Sequence, residues 1–267
     1  MTLPNTHLGA LPISRLVIGG NPFSGFSHQS LQRDAEMRAW YTDERIIATL
    51  FEAEALGLST CLMRGDDHIT RVLAEYWRRG GVLRWVAQTN SRADSPAEGA
   101  RYCIEHGAAA CYLHGGVTDH LIGQQCYEPL HAFQQAVQGA GLPAGIAGHM
   151  PADFVWAEQH LALDFYMVSY YNPSPRDQVP HHDPATIERY AAEDRDERVA
   201  IISTLRRPAI HYKILAAGRT PAPEAFRFAA AHLRPQDAVC IGIYTGDNPH
   251  MLREDVALFT RLVGAPA

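Results

Sequence analysis

The chain has 267 residues, 46% of them hydrophobic and 19% charged, with a formal charge of -6. A length close to ~250 residues suits one large α/β barrel, and this charge balance gives no basic footprint for nucleic acid or an anionic membrane. The cysteines Cys61, Cys103, Cys111, Cys126 and Cys240 follow no CxxC or zinc spacing, and three of them fall in apolar runs, so they read as core residues of a reducing compartment.

Met1 to Ser14 contains no charged segment followed by an apolar run, and no apolar stretch reaches the ~20 residues of a membrane span. A cytoplasmic protein is therefore expected. Arg15-Leu16-Val17-Ile18-Gly19-Gly20 reads as a first strand stopped by glycines, and residues 21–42 as a long irregular loop of the kind that carries function. Apolar residues at helical spacing predict a helix over 43–56, ended by Gly57, and a second strand over 58–63. A helix over 68–79 and a strand over 83–88 follow. Ser95-Pro96-Ala97-Glu98 is a capping box with proline at the first helical position.

Ala110-Cys111-Tyr112-Leu113-His114-Gly115-Gly116 is a short apolar strand that delivers a histidine at its carboxyl end. One long helix is expected over 118–138, a strand over 144–148 ending beside His149, a helix over 151–161 and a strand over 164–169. Residues 174–183 read as a polar loop holding His181 and His182, an exposed pair that is more often incidental than a ligand. A helix over 184–205, strands over 209–213 and 238–242, and helices over 221–233 and 248–262 complete eight strand–helix alternations. Near-continuous apolar strands joined by helices need both faces covered, which predicts a single (β/α)8 TIM barrel over residues 1–267. An open doubly wound sheet is the other candidate, but no GxGxxG follows the first strand.

Several segments resemble the aldo-keto reductases. Leu8-Gly9 through Ile13-Ser14-Arg15-Leu16-Val17-Ile18-Gly19-Gly20 is similar to their opening, and Gly57-Leu58-Ser59-Thr60 to their second strand. Ile241-Gly242 through Asn248-Pro249-His250-Met251-Leu252-Arg253-Glu254-Asp255 is similar to their last loop and helix. The resemblance implies an aldo-keto-reductase-like barrel, a nicotinamide cofactor and a tetrad of aspartate, tyrosine, lysine and histidine. Aligned on the second strand, Leu62 stands at the aspartate position, Asp67 near the tyrosine, and Gln88 or Thr89 at the lysine; only His114 matches. Asp247 lies where a cofactor phosphate would sit, so NADP is less expected than in the family, while Arg253 is the residue that could still help hold such a phosphate.

Strand ends of such a barrel converge on one pocket. They present Asn21, Arg64, Asp66, Asp67, Gln88, Asn90, His114, His149, Tyr170, Tyr171, Asn172, Lys213, Tyr244 and Thr245. Of these, His114, His149, Lys213 and Asp67 are the catalytic candidates, with His114 as proton shuttle. Asn21, Arg64, Asp66, Gln88, Tyr170, Asn172 and Tyr244 are the substrate-binding candidates. His149 reads equally as a helix cap, Lys213 as a strand-end residue with its head in solvent, and Arg64 with Asp66 and Asp67 as a solvated turn. Tyr170 and Tyr171 alternate, so only one can line a pocket.

A divalent metal is admitted through His114, His149 and one of Asp66 or Asp67, although no HxH or HExxH spacing supports it. The expected reaction is acid/base chemistry of isomerase or lyase type on a small polar, sugar-like carbonyl or hydroxyl compound. The alternatives are an NADP-dependent reductase with a rearranged acid and a non-catalytic ligand-binding barrel. The expected partner is a small-molecule substrate, without nucleic acid or membrane, and a homo-oligomer is allowed.

Overall fold

The chain opens on a feature absent from that reading, a hairpin of β1 (Asn5–Leu8) and β2 (Leu11–Ser14) paired antiparallel. Gly9, at φ +54, makes the turn. Leu8 and Ile13 are 0% and 1% exposed and pack with Val17, Ala110, Phe165 and Ala238, residues that point into the barrel. The hairpin therefore floors the amino end of the barrel. Its two short strands, each with a single buried alternation, give too little periodicity to stand out from a loop. Leu8→Ala should cost about 2–5 kcal/mol of stability, read as a lower urea midpoint. An unchanged midpoint would show that the floor is not part of the cooperative core.

The computed structural model describes residues 3–89, 95–172 and 189–264. Eight parallel strands close in the order β10-β3-β4-β5-β6-β7-β8-β9. They are β3 (Leu16–Gly19), β4 (Thr60–Arg64), β5 (Arg84–Gln88), β6 (Ala110–Leu113), β7 (Ala144–Gly148), β8 (Phe165–Ser169), β9 (Ala209–Tyr212) and β10 (Ala238–Gly242). Each is four or five residues long, apolar and buried on both faces, as strands covered by helices must be. Alternate residues such as Leu62, Val86, Tyr112, Met167 and Cys240 fill the interior, and their neighbours pack outward against the helices. The interior is dense: a Cβ on Gly145 would lie 2.6 Å from the Phe165 ring.

The helical layer is α1 (Leu31–Trp40), α2 (Asp43–Ala55), α3 (Asp67–Arg78), α4 (Pro96–Glu105), α5 (Gly115–Gly123), α6 (Glu128–Gly139), α7 (Pro151–His160), α8 (Ala192–Thr204), α9 (Ala222–His232) and α10 (Met251–Val263). Two expectations are corrected. The loop expected over 21–42 contains α1, which Ser30 caps by accepting from the Arg33 amide. Only Met37 of this helix is buried, so its sequence carries no apolar stripe to reveal it. The long helix expected over 118–138 is two helices, broken where Gln125 adopts φ +56, with Pro129 in the first turn of α6. The expected loop with His181 and His182, Asn90, and the start of the helix expected over 184–205 lie outside the described residues. Among the described residues no helix is long and apolar enough to cross a membrane.

Candidate active site

The loops after β3, β9 and β10, together with the ends of β4 and β5 and the inward residues Tyr112 and Met167, enclose a cavity of about 230 Å³ at the carboxyl end of the barrel. Asn21, Arg64, Gln88, Lys213 and Tyr244 line it, five of the candidates read from the strand ends. Arg64 donates to Asp66 (3.1 Å), and its guanidinium lies 4.7 Å from the centre of the Phe26 ring. Lys213 sits at φ +58, a left-handed conformation that costs a side-chain-bearing residue energy and holds it just past the end of β9. Burial pushes the Tyr112 phenol well above its ordinary range and the Cys240 thiol up to about 12. Both groups therefore stay protonated at neutral pH: Tyr112 is a hydroxyl donor, and Cys240 is no nucleophile.

The remaining candidates stand elsewhere. Asp66 caps α3 by accepting from the Ile69 amide (3.0 Å). Asp67 is exposed and accepts from the Tyr102 hydroxyl at 2.7 Å, on the outer side of the barrel. Tyr170 faces the helical layer, where its hydroxyl meets His211 Nδ1 at 2.9 Å and its ring packs edge-on to Phe228. Tyr171 packs on Tyr190, so neither tyrosine lines the cavity. The amide of Asn172 donates to Asp194 (3.1 Å) and its side chain reaches Met150. His114 caps α5, its Nδ1 accepting from the Gly116 amide at 3.2 Å, and is not in the cavity wall. Among the described residues no three histidine, cysteine or acidic side chains come together as a metal site, so His114, His149 and Asp66 or Asp67 do not converge.

His149 reaches the cavity through a residue the sequence did not single out. Its Nδ1 lies 2.6 Å from Asp119 Oδ2, and its backbone amide donates to Asp119 Oδ1 at 3.0 Å. Asp119 accepts, so Nδ1 carries the hydrogen and Nε2 presents a lone pair. That Nε2 faces the Tyr212 hydroxyl at 3.4 Å, and Tyr212 lines the cavity beside Lys213. Asp119 and His149 are 4% and 3% exposed, so the chain Asp119–His149–Tyr212 runs from a dry interior to the cavity wall.

Local structure explains the placement. Tyr212 shares the inward face of β9 with Ile210, and His211 between them points out. Asp119 lies mid-helix in α5, on the side packed against β7. Period-two alternation along 209–213 could have flagged Tyr212. Nothing local could have flagged Asp119, because its partner is thirty positions away. Gly115 completes the fit: a Cβ there would stand 2.9 Å from His149 Cε1 and 3.3 Å from the Tyr212 hydroxyl. Gly115→Ala should therefore push the imidazole off Tyr212, seen as a displaced His149 ring in a crystal structure and a changed ring chemical shift. An unmoved ring would refute the tight fit.

A closed eight-stranded parallel barrel with a cavity at its carboxyl end is the architecture of a large class of enzymes. The solved structures it resembles fall there. A Pseudomonas aeruginosa protein assigned to the aldo-keto reductases superposes with a TM-score of 0.66 at 16% identity, covering 98% of each chain. An aldo/keto reductase from Brucella melitensis gives 0.57 at 10% identity, over 98% of this chain and 99% of that one. The 3-hexulose-6-phosphate synthase of Salmonella typhimurium gives 0.57 at 11% identity, over 93% of this chain and 97% of that one. The fold is thus the aldo-keto-reductase-like TIM barrel. No family model and no curated protein matches the sequence.

The residues present do not fit an NADP phosphate at the β10 end. Arg33, the cation in that part of the wall, is ion-paired with Asp247 and with Glu36 and lies over the Tyr244 ring. Arg253 reaches Glu52 and is not in the cavity wall. Asp247 does line the cavity, so a phosphate there would meet a carboxylate.

Proposed function

We propose that this protein is an enzyme that moves a proton on a small polar carbonyl or hydroxyl compound, in chemistry of the isomerase or lyase type. The observation that carries the reading is Tyr212, which lines the cavity and whose hydroxyl meets the buried His149–Asp119 pair. A substrate proton passes to the Tyr212 oxygen as the phenol proton passes to His149 Nε2. Asp119 holds the ring in the right tautomer and stabilises the imidazolium that forms. The relay runs backwards to return the proton. Arg64 and Lys213, in the same wall, stabilise negative charge developing on the substrate oxygen. In this proposal the shuttle role expected of His114 passes to Tyr212. The cavity of about 230 Å³ suits a small molecule, and its ring of Asn21, Gln88, Tyr112 and Tyr212 suits hydroxyl groups.

The test needs no knowledge of the product. Protein in deuterium oxide is mixed with a panel of aldoses, ketoses and hydroxyketones, with and without phosphate, and exchange of the hydrogen next to the carbonyl is followed by NMR. Time-dependent exchange of at least one compound supports the proposal. No exchange, together with saturable NADPH binding and reduction of a panel carbonyl, would replace it with the reductase. Ligand-induced thermal shifts without either activity would replace it with a binding barrel.

A further inference from the structure

Asp153, in α7, is 4% exposed, and its Oδ2 is buried with no hydrogen-bond donor within reach. It faces Asp119 of the relay. Among the described residues, the charged and titratable groups around it are Asp119 on α5, His149 after β7, and Arg198 on α8 with its neighbour Glu197. Arg198 is 2% exposed and already committed, donating to the His149 carbonyl at 2.8 Å and ion-paired with Glu197. Two ionised carboxylates in contact in such a dry place would share this one guanidinium, and one Asp153 oxygen would remain without a donor. Both costs are large for buried groups.

One proton removes both. We propose that Asp153 is protonated and donates its O–H to Asp119, and so is the positioning residue that keeps the Asp119 carboxylate turned to His149. The inference rests on the reading of Asp119, His149 and Tyr212 as a proton relay. Asp119 then takes the His149 amide, the His149 Nδ1–H and the Asp153 hydroxyl, which leaves His149 Nε2 as the acceptor that Tyr212 needs. Burial first, and then the Asp119 charge, hold the Asp153 carboxyl up to about 8, against the opposing pull of Arg198. Above that pH Asp153 gives its proton to solvent, the two carboxylates repel, and Asp119 loses the donor that kept it turned to His149 Nδ1–H. The ring is then no longer held in one tautomer, so Nε2 is not kept as the acceptor for Tyr212 and the relay weakens as a base.

The experiment compares the full-length protein with Asp153→Asn, which keeps a donor but cannot ionise. Infrared spectra near neutral pH should show a protonated-carboxyl band in the unmodified protein that is missing from Asp153→Asn. Nitrogen-15 NMR should show His149 losing its single Nδ1–H tautomer as pH rises through about 8 in the unmodified protein, and keeping it in Asp153→Asn. Linkage gives a third readout with a definite sign. An acid whose folded pKa is raised stabilises the fold below its unfolded pKa and loses that contribution as pH rises through the folded value. The unfolding equilibrium constant of the unmodified protein should therefore climb by up to ~10-fold per pH unit between about pH 4 and 8, relative to Asp153→Asn.

Identical infrared spectra for the two proteins, or a His149 ring that keeps one tautomer through pH 8 in the unmodified protein, would overturn the proposal. If Asp153→Asn does not fold, the unmodified protein decides: a carboxyl band lost in step with the His149 change supports it, and no band refutes it. None of these readouts uses a substrate, so their failure is distinct from failure of the exchange assay.

Discussion

Tyr212→Phe should lower proton exchange by ~10²–10⁴-fold, the usual contribution of a positioned acid/base group. Tyr212 is the relay residue that lines the cavity, and Phe keeps the ring that packs against His149 at 6.2 Å between centroids. Stability should fall by only about 1 kcal/mol, the net value of a typical hydrogen bond. His149→Ala should reach a similar rate, and the double variant should be little worse than either, because the residues act as one unit. The measurement is the exchange rate of the best panel compound, with urea denaturation as the control. A Tyr212→Phe protein exchanging at the original rate would remove the mechanism.

Asp237→Ala should be the most destabilising single substitution considered, by about 3–5 kcal/mol, because it strips a buried charge from a network that cannot rehydrate. Asp237 is 0% exposed and accepts from Arg234 Nε (2.7 Å) and from the Ala209 amide (2.8 Å), with His211 Nε2 at 3.4 Å. His211 in turn accepts from the Tyr170 hydroxyl at 2.9 Å, a chain along the outer side of the barrel wall. Burial alone would raise the Asp237 carboxyl, but hydrogen bonds from His211 and Arg234 more than offset it and the pKa is lowered. Burial lowers the pKa of His211.

The two signs agree. A group whose folded pKa is depressed contributes stability above its unfolded value and loses it as pH falls through the folded one. Acid should therefore destabilise the protein first below about pH 6.5, through His211, and again below about pH 4, through Asp237. The Ala variant should lack the second loss in urea melts at stepped pH. A variant with the original midpoint and acid profile would show that the network contributes nothing.

Tyr170 illustrates how the strand-end reading divides. Its position at the end of β8 was legible, but which face it takes follows from alternation counted through Val168, and that face is the helical layer. Asp67 shows the other failure: a polar residue one position past a helix cap is turned outward by the helix, whatever the strand before it suggests. Asn21, Arg64, Gln88, Lys213 and Tyr244 did arrive in one cavity, because closing the barrel brings neighbouring strand ends together.

The sequence by itself determined the barrel. Apolar runs of four or five residues, stopped by glycine or a polar side chain and spaced by amphipathic helices, leave few other ways to cover both faces of each strand. Only the tertiary structure decided the floor hairpin, the break between α5 and α6, and above all the assembly of residues 119, 149 and 212. The physical reason is range. Periodicity reports which face of one element is buried, whereas a proton path depends on distances of a few ångströms between elements far apart in the chain.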